Sequence, residues 1–296
     1  MKRLYGVVCA TITPMKDNGE IDLESAKKLY RYLAEKGIHC LYPNGTNGES
    51  LSLTEDERRA LAEACVEASG EQQAVYIQCG ASTPEESYRH VLHAKAIGAD
   101  GVGLMTPVFF PTDDAALEMY YTDILDQTGD FPMYVYNIPS RTGNDVSAAL
   151  LGSLMNRYPA LYGIKYSAPD LLRIQAYVTA PADRKADVLI GCDRQALSCM
   201  MCGGAGWVSG PGAVFADAFV RLYDEIAAGE MERARETQAL IVEFSDGLAG
   251  MPEIPAIKYM LKKLGVIACD RVRRPLRQLT DAEKARLDRL MAQMDI

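Results

Sequence analysis

Eight times along this chain a short apolar run ends in a polar or glycine-bearing turn and an amphipathic helical pattern follows. The runs are GVVCAT from Gly6, CLYPNG from Cys40, AVYIQCG from Ala74, GVGLMTP from Gly101, MYVYNIP from Met133, LYGIKYS from Leu161, DVLIGC from Asp187 and GWVSG from Gly206. Strand, helix, strand without hairpin turns requires parallel pairing through right-handed crossovers. Eight such units close into a (β/α)8 TIM barrel, which is the expected fold. The alternative is an open doubly wound sheet, which announces itself with a glycine-rich turn after its first strand. Here that turn is Thr11-Ile12-Thr13-Pro14-Met15, so the barrel is favoured.

The helices carry their own start and stop signals. Leu29, Tyr32 and Leu33 share a face between Leu23 and Glu35, and Gly37 supplies the stop. Thr54 with Glu57 reads as a capping box, and Thr83-Pro84 with Glu86 opens another helix. After the eighth strand, helical pattern continues over Ala216 to Ala228, Glu230 to Gly247, Ile254 to Leu264 and Asp281 to Met294. One of these completes the last barrel unit and the rest form an appendage. The expected domains are a barrel over 1–225 and a C-terminal helical region over 226–296.

Charge excludes whole classes of partner. With 40 acidic against 31 basic side chains the net charge is -9, which leaves no electrostatic footprint for nucleic acid or an anionic membrane. No run is long enough to span a bilayer, and the N-terminal apolar stretch is cut by Thr11, Thr13 and Pro14, so a cytoplasmic protein is expected. Cys9, Cys40, Cys79 and Cys192 fall in expected strands and read as small buried hydrophobes. Cys199 and Cys202 form a C-x-x-C without a second pair or a histidine, inside an apolar helical run, which favours packing over zinc or redox chemistry. His90 and His93 share a helix face, read as solvated, and no metal is expected.

The chemistry gathers at the C-terminal ends of the strands, where barrel enzymes work. Lys165 closes the run from Leu161. An amine in an apolar setting is expensive to keep charged, and an unprotonated amine attacks carbonyls to form Schiff bases; the structural alternative is a lysine that snorkels to solvent. After the second strand comes Asn44-Gly45-Thr46-Asn47-Gly48-Glu49, whose backbone N–H groups can hold a carboxylate while Thr46 adds a hydroxyl. Tyr136 and Arg141 follow the fifth strand, Gly191 and Asp193 the seventh, and Val208 lies on the eighth. Amine, phenol, anion-holding turn and arginine together suit chemistry on a 2-oxo acid, with Tyr136 passing protons. Such chemistry proceeds through an enamine and requires no cofactor. Glu49 is read as a helix-entry residue.

Several ordered motifs make the chain resemble the dihydrodipicolinate synthase and N-acetylneuraminate lyase family of class I pyruvate-dependent enzymes. They are Thr11 to Met15, G-T-N-G-E at 45–49, T-P at 106–107, Y-N-I-P-S-R-T-G at 136–143, G-I-K at 163–165, G-x-D at 191–193 and P-A-I-K at 255–258. The resemblance implies Lys165 as the Schiff-base lysine, Tyr136 as proton relay and Thr46 with Asn47 as holders of the pyruvate carboxylate. It assigns Arg141 to the distal carboxylate of an aldehyde substrate and implies a homotetramer built as a dimer of dimers. Lys165, Tyr136 and Thr46 form the expected catalytic set; Gly45, Thr46, Asn47, Arg141, Gly191, Asp193 and Val208 form the expected substrate-binding set.

Departures from the family pattern divide the substrate question. Asn47 stands in a hydroxyl position, and Phe109 where a synthase carries a second relay tyrosine. Lys165 to Asp170 and Asp193 are lyase-like, whereas Arg141 is synthase-like and Gly210 occupies a lyase serine position. The preferred reading is aldol addition of pyruvate to a carboxylate-bearing aldehyde. The alternative is a catabolic aldolase or dehydratase acting on N-acetylneuraminate or another 2-oxo-3-deoxy sugar acid. A phosphate-binding barrel using Gly203 to Gly206, and a noncatalytic 2-oxo acid sensor, complete the range.

Overall fold

The computed structural model describes residues 2–296. Eight parallel strands, β1 (Gly6–Cys9), β2 (Cys40–Leu41), β3 (Ala74–Gln78), β4 (Gly101–Met105), β5 (Met133–Asn137), β6 (Leu161–Tyr166), β7 (Asp187–Ile190) and β8 (Gly206–Ser209), follow one another in order around a closed barrel. The helices α1 (Leu23–Glu35), α2 (Glu55–Ala68), α3 (Pro84–Ala96), α4 (Asp114–Thr128), α5 (Pro139–Thr142), α6 (Ala148–Arg157), α7 (Leu171–Val178), α8 (Ala196–Met201) and α9 (Ala216–Ala227) alternate with them. Beyond these lie α10 (Met231–Leu248), α11 (Glu253–Lys263) and α12 (Asp281–Gln293). The (β/α)8 barrel with C-terminal helices is therefore the observed architecture. Met1, the first residue of the expected barrel domain, lies outside the described residues.

The chain divides into two compact units. The first holds the chain up to Gly6 with Ala74–Val208, and the second holds Val7–Gln73 with Ser209–Ile296. In the first, β3 to β7 are buried on both faces apart from Tyr162 and Asp187, which is why they read as near-continuous apolar runs. Their register is tight enough to demand glycine at one position. A Cβ on Gly163 would stand 1.9 Å from the carbonyl oxygen of Asp187, its partner across the β6–β7 ladder.

At the N-terminal strand ends of this unit, Tyr76 and Tyr134 meet edge to face at 5.3 Å, and the Tyr134 hydroxyl donates to Asp187 at 2.8 Å. Arg3 lies over Tyr162 at 4.4 Å and pairs with Asp187 at 3.4 Å. Burial pushes both the Tyr134 phenol and the Asp187 carboxyl above their ordinary ranges, and Arg3 offsets part of that for Asp187. Polar groups thus close this end of the strands in a satisfied network.

The second unit packs α1 on α2, α9 on α10 and α11 on α12. Thr54 caps α2 by the expected capping box, Thr280 caps α12 by another, and in the first unit Thr83 caps α3. Every strand stops one to four residues earlier than its apolar run, because the run continues into the strand-end turns that carry polar residues. Cys192 consequently lies outside β7, two residues past its end, and Cys79 just past β3. His90 departs from its expected solvated position: it is buried on α3, with Nε2 3.7 Å from Glu86. Cys199 packs in α8 with its thiol pushed up to about 12 by burial, and Cys202 caps the helix. Among the described residues no helix is long and apolar enough to cross a membrane.

Candidate active site

In the first unit, β5 and β6 pair so that Tyr136 and Lys165 are direct register partners. Side chains alternate along a strand, so the two point to the same face. Lys165 is 4% exposed and Tyr136 2% exposed, and the lysine Nζ stands 3.8 Å from the centroid of the tyrosine ring. The amine therefore rests on the ring face, whose negative quadrupole attracts a cation. The next register pair, Asn137 and Tyr166, turns the opposite way. Asn137 donates to Asp145 at 2.7 Å and to the Tyr177 hydroxyl at 3.0 Å, and Tyr166 packs on Tyr177 at 5.3 Å. These contacts with α7 and the α5–α6 connection leave Lys165 and Tyr136 to face inward.

The other expected residues of this unit follow the strand ends. Arg141 lies in α5, exposed, and its guanidinium has no hydrogen bond or ion pair among the described residues. Gly191 donates its N–H to the Tyr166 carbonyl at 2.8 Å, and Ser167 donates to Asn137 at 2.9 Å, so the ladder runs one residue past the strands. Asp193 begins a short 3-10 turn after β7, and Val208 is buried in β8.

The turn after β2 belongs to the second unit and is rigidly built. Asn44 and Glu49, at its two ends, have φ of 60° and 56°. That left-handed conformation costs a non-glycine residue on the order of 1–3 kcal/mol and persists only where surroundings impose it. Asn44 is held by its amide, which donates to the Arg58 carbonyl at 2.8 Å, and Thr13 donates its hydroxyl to Gly48 at 2.7 Å. Gly45 is buried and Thr46 half-buried. Asn47 is 9% exposed; neither its backbone N–H nor its side-chain amide has a hydrogen-bond partner among the described residues. Donors held in place without acceptors are what an anionic ligand requires.

Glu49 imposes the turn's far end through its carboxylate. One oxygen accepts from the Lys258 ammonium at 2.5 Å and the other from the Arg273 backbone N–H at 2.9 Å, and neither side chain of the Glu49–Lys258 pair has accessible surface. Lys258 also donates to the Arg271 carbonyl at 2.7 Å. Burial lowers the Lys258 pKa and the Glu49 charge opposes that. Arg273 then clamps the following segment. Its guanidinium donates to the Ser52 carbonyl at 2.9 Å and to Glu57 at 2.6 Å, holding the Glu57 carboxyl down to about 2. Glu49 is thus more than a helix-entry residue. Sequence patterns assign no role to Lys258 or Arg273, although Lys258 ends the P-A-I-K motif on a helix face that is otherwise apolar. Among the described residues, no three His, Cys, Asp or Glu side chains group as metal ligands.

The sequence model of the Dihydrodipicolinate synthetase family matches residues 3–294. The chain is 37% identical to N-acetylneuraminate lyase of Rattus norvegicus over 211 residues, 70% of this chain and 66% of that one. It is 31% identical to 4-hydroxy-tetrahydrodipicolinate synthase of Acidiphilium cryptum over 288 residues, 96% of each. The crystal structure of dihydrodipicolinate synthase from Thermotoga maritima superposes with a TM-score of 0.92 at 29% identity, covering 98% of both chains.

The buried pair is a separable element of this architecture. Lys258→Met strands the Glu49 carboxylate without its cation and is expected to cost about 3–5 kcal/mol in urea unfolding. Glu49→Gln combined with Lys258→Met should recover most of that loss. A single-variant cost under about 1 kcal/mol would contradict the ion pair's structural role.

Proposed function

The chain belongs to the dihydrodipicolinate synthetase family, lyases of the class I aldolase type, and within it we propose that Lys165 joins pyruvate to a carboxylate-bearing aldehyde through a Schiff base. The observation that carries this reading is the inward, buried Lys165 amine seated on the Tyr136 ring. In the proposed sequence the Lys165 Nζ lone pair attacks the keto carbon, water leaves to give an imine, and a methyl proton leaves to give the enamine. The enamine carbon then bonds to the aldehyde carbon, whose oxygen takes up a proton. Water adds back to the imine and releases product and amine. Tyr136 is assigned the proton transfers, being the buried phenol paired in register with the lysine.

The carboxylate of the 2-oxo acid is assigned to Gly45, Thr46 and Asn47, since barrel enzymes work at the strand ends and the Asn47 backbone N–H and amide have no acceptor among the described residues. Gly191, Asp193 and Val208 are assigned to the rest of the substrate. Arg141 favours the synthase direction because its guanidinium is exposed and unengaged, ready for a bidentate carboxylate contact. Cleavage of a sugar acid is the second reading. It is favoured by the likeness to the rat lyase and by Asp193, a carboxylate in the turn after β7 suited to accept from a substrate hydroxyl. We further assign the chemistry to a cytoplasmic protein with a barrel domain over 1–225 and an appendage over 226–296.

Phe109 and Phe110 are 85% and 71% exposed and stack edge to face at 5.1 Å, and Phe109 has a φ of 80°. Adjacent exposed aromatic surface suits an interaction site, and we assign it to contacts within a homotetramer.

Incubation with pyruvate and borohydride should add one reduced pyruvate to the intact mass, and Lys165→Ala should abolish the adduct. An adduct that survives in Lys165→Ala would remove the lysine from its role. Arg141→Ala should raise KM for an aldehyde bearing a carboxylate about 10- to 100-fold, the worth of a charge-assisted contact, with pyruvate trapping intact. An unchanged KM with such an aldehyde, alongside pyruvate release from a sugar acid, would favour the second reading. Sedimentation should give four times the chain mass, and Phe109→Ser with Phe110→Ser should lower it; a monomeric wild type refutes the tetramer.

A further inference from the structure

Asn47 and Gly210 occupy one volume. A Cβ built on Gly210 would fall 1.7 Å from Nδ2 of Asn47, so the carboxamide sits where any side chain at 210 would begin. The backbone at 210 has φ of -85° and ψ of -51°, a conformation open to every residue. A side chain at 210 would therefore require the Asn47 carboxamide to turn out of its present position. The same point lies 3.1 Å from Cδ1 of Ile257, which immediately precedes Lys258 of the buried ion pair, so α11 bounds this volume on another side. Around it, the Gly212 N–H donates to the Ser209 hydroxyl at 2.8 Å, which ties down the backbone that carries Gly210.

Asn47 in this position is 9% exposed and its amide has no hydrogen-bond partner among the described residues. Its polar atoms are not sealed from solvent, so the carboxamide faces space that a ligand oxygen can enter to accept from it. Its N–H group and the unbonded backbone N–H of the same residue present two donors from one place.

We infer that Gly210 is a positioning residue for Asn47: its bare α-carbon seats the carboxamide so that the amide donates to the carboxylate of a small 2-oxo acid. The two residues act as a single specificity determinant. An amide at 47 reaches one bond further than a hydroxyl, and only an empty position 210 accommodates that reach. The same packing denies the site a hydroxyl side chain at 210, so the substrate's polar groups are read from position 47 instead. This inference deepens the proposed function and rests on it.

The test is a double-variant cycle read as the pyruvate concentration that gives half-maximal borohydride trapping. Gly210→Ala should raise that concentration about 10- to 100-fold, the worth of a hydrogen bond to a charged group, while trapping at saturation is retained. Asn47→Ala should raise it by a similar factor. Asn47→Ala with Gly210→Ala should raise it no further than either alone, because both changes delete one interaction. Asn47→Thr with Gly210→Ala, which shortens the residue that clashes, should restore binding most of the way. If Gly210→Ala does not fold, equality between Asn47→Ala and the double alanine variant carries the comparison, since the clash is absent from both. A wild-type adduct with Gly210→Ala indistinguishable from wild type, or effects that multiply in the double variant, overturns the inference alone. No adduct in the folded wild type overturns the proposed function with it.

Discussion

A carboxylate and an ammonium without solvent, Glu49 and Lys258, hold the second unit to its shape. Neither charge is tolerable alone in an apolar interior, so each fixes the other's position within a hydrogen-bond length. Arg273 completes the arrangement with one backbone N–H and a guanidinium fork. The left-handed conformation at Glu49 is sustained by these contacts, and that conformation in turn closes the loop that carries Thr46 and Asn47. The unbonded N–H groups of Asn47 are thereby held in place by groups elsewhere in the unit. Preorganisation of this sort lets an anion bind without the loop first having to order itself.

In the first unit the equivalent constraint is strand register. Lys165 faces inward because β5 and β6 pair Tyr136 with Lys165, and a slip of one residue would send the lysine to the helix layer where Tyr166 now packs. Gly163 makes such a slip expensive, since its close approach to the Asp187 carbonyl admits no side chain. The tyrosines and Asp187 at the other strand ends anchor the same register from below. A single backbone alignment thus serves both packing and the lysine's environment.

Much of this is legible in the sequence because it is local. Apolar runs bounded by turns locate all eight strands, and Thr54 with Glu57 locates a cap that forms as read. Strand ends are harder to place because apolar character outlasts the ladder, and the ladder depends on a neighbour's length. The burial of His90 is hidden for a similar reason, since what becomes of a helix face depends on what covers it. Lys165 and Tyr136 can be found from strand ends alone, whereas the partner of Glu49 lies 209 residues away. The fit of Asn47 to Gly210 is less visible still. Glycine's empty volume has no signature until a neighbouring atom fills it.

That separation of 209 residues bears on how the protein is made. Translation at about 5–20 residues per second puts roughly 10–40 seconds between the emergence of Glu49 and that of Lys258. Throughout that interval the whole segment Ala74–Val208 leaves the ribosome ahead of the lysine, while the glutamate stays hydrated and its loop has nothing to lock it. A nascent chain can therefore display the lysine on β6 well before its loop after β2 is organised. The loop after β2 is locked only once the helix that carries Lys258, 209 residues further on, has emerged, so the two units gain their constraints at different moments of synthesis.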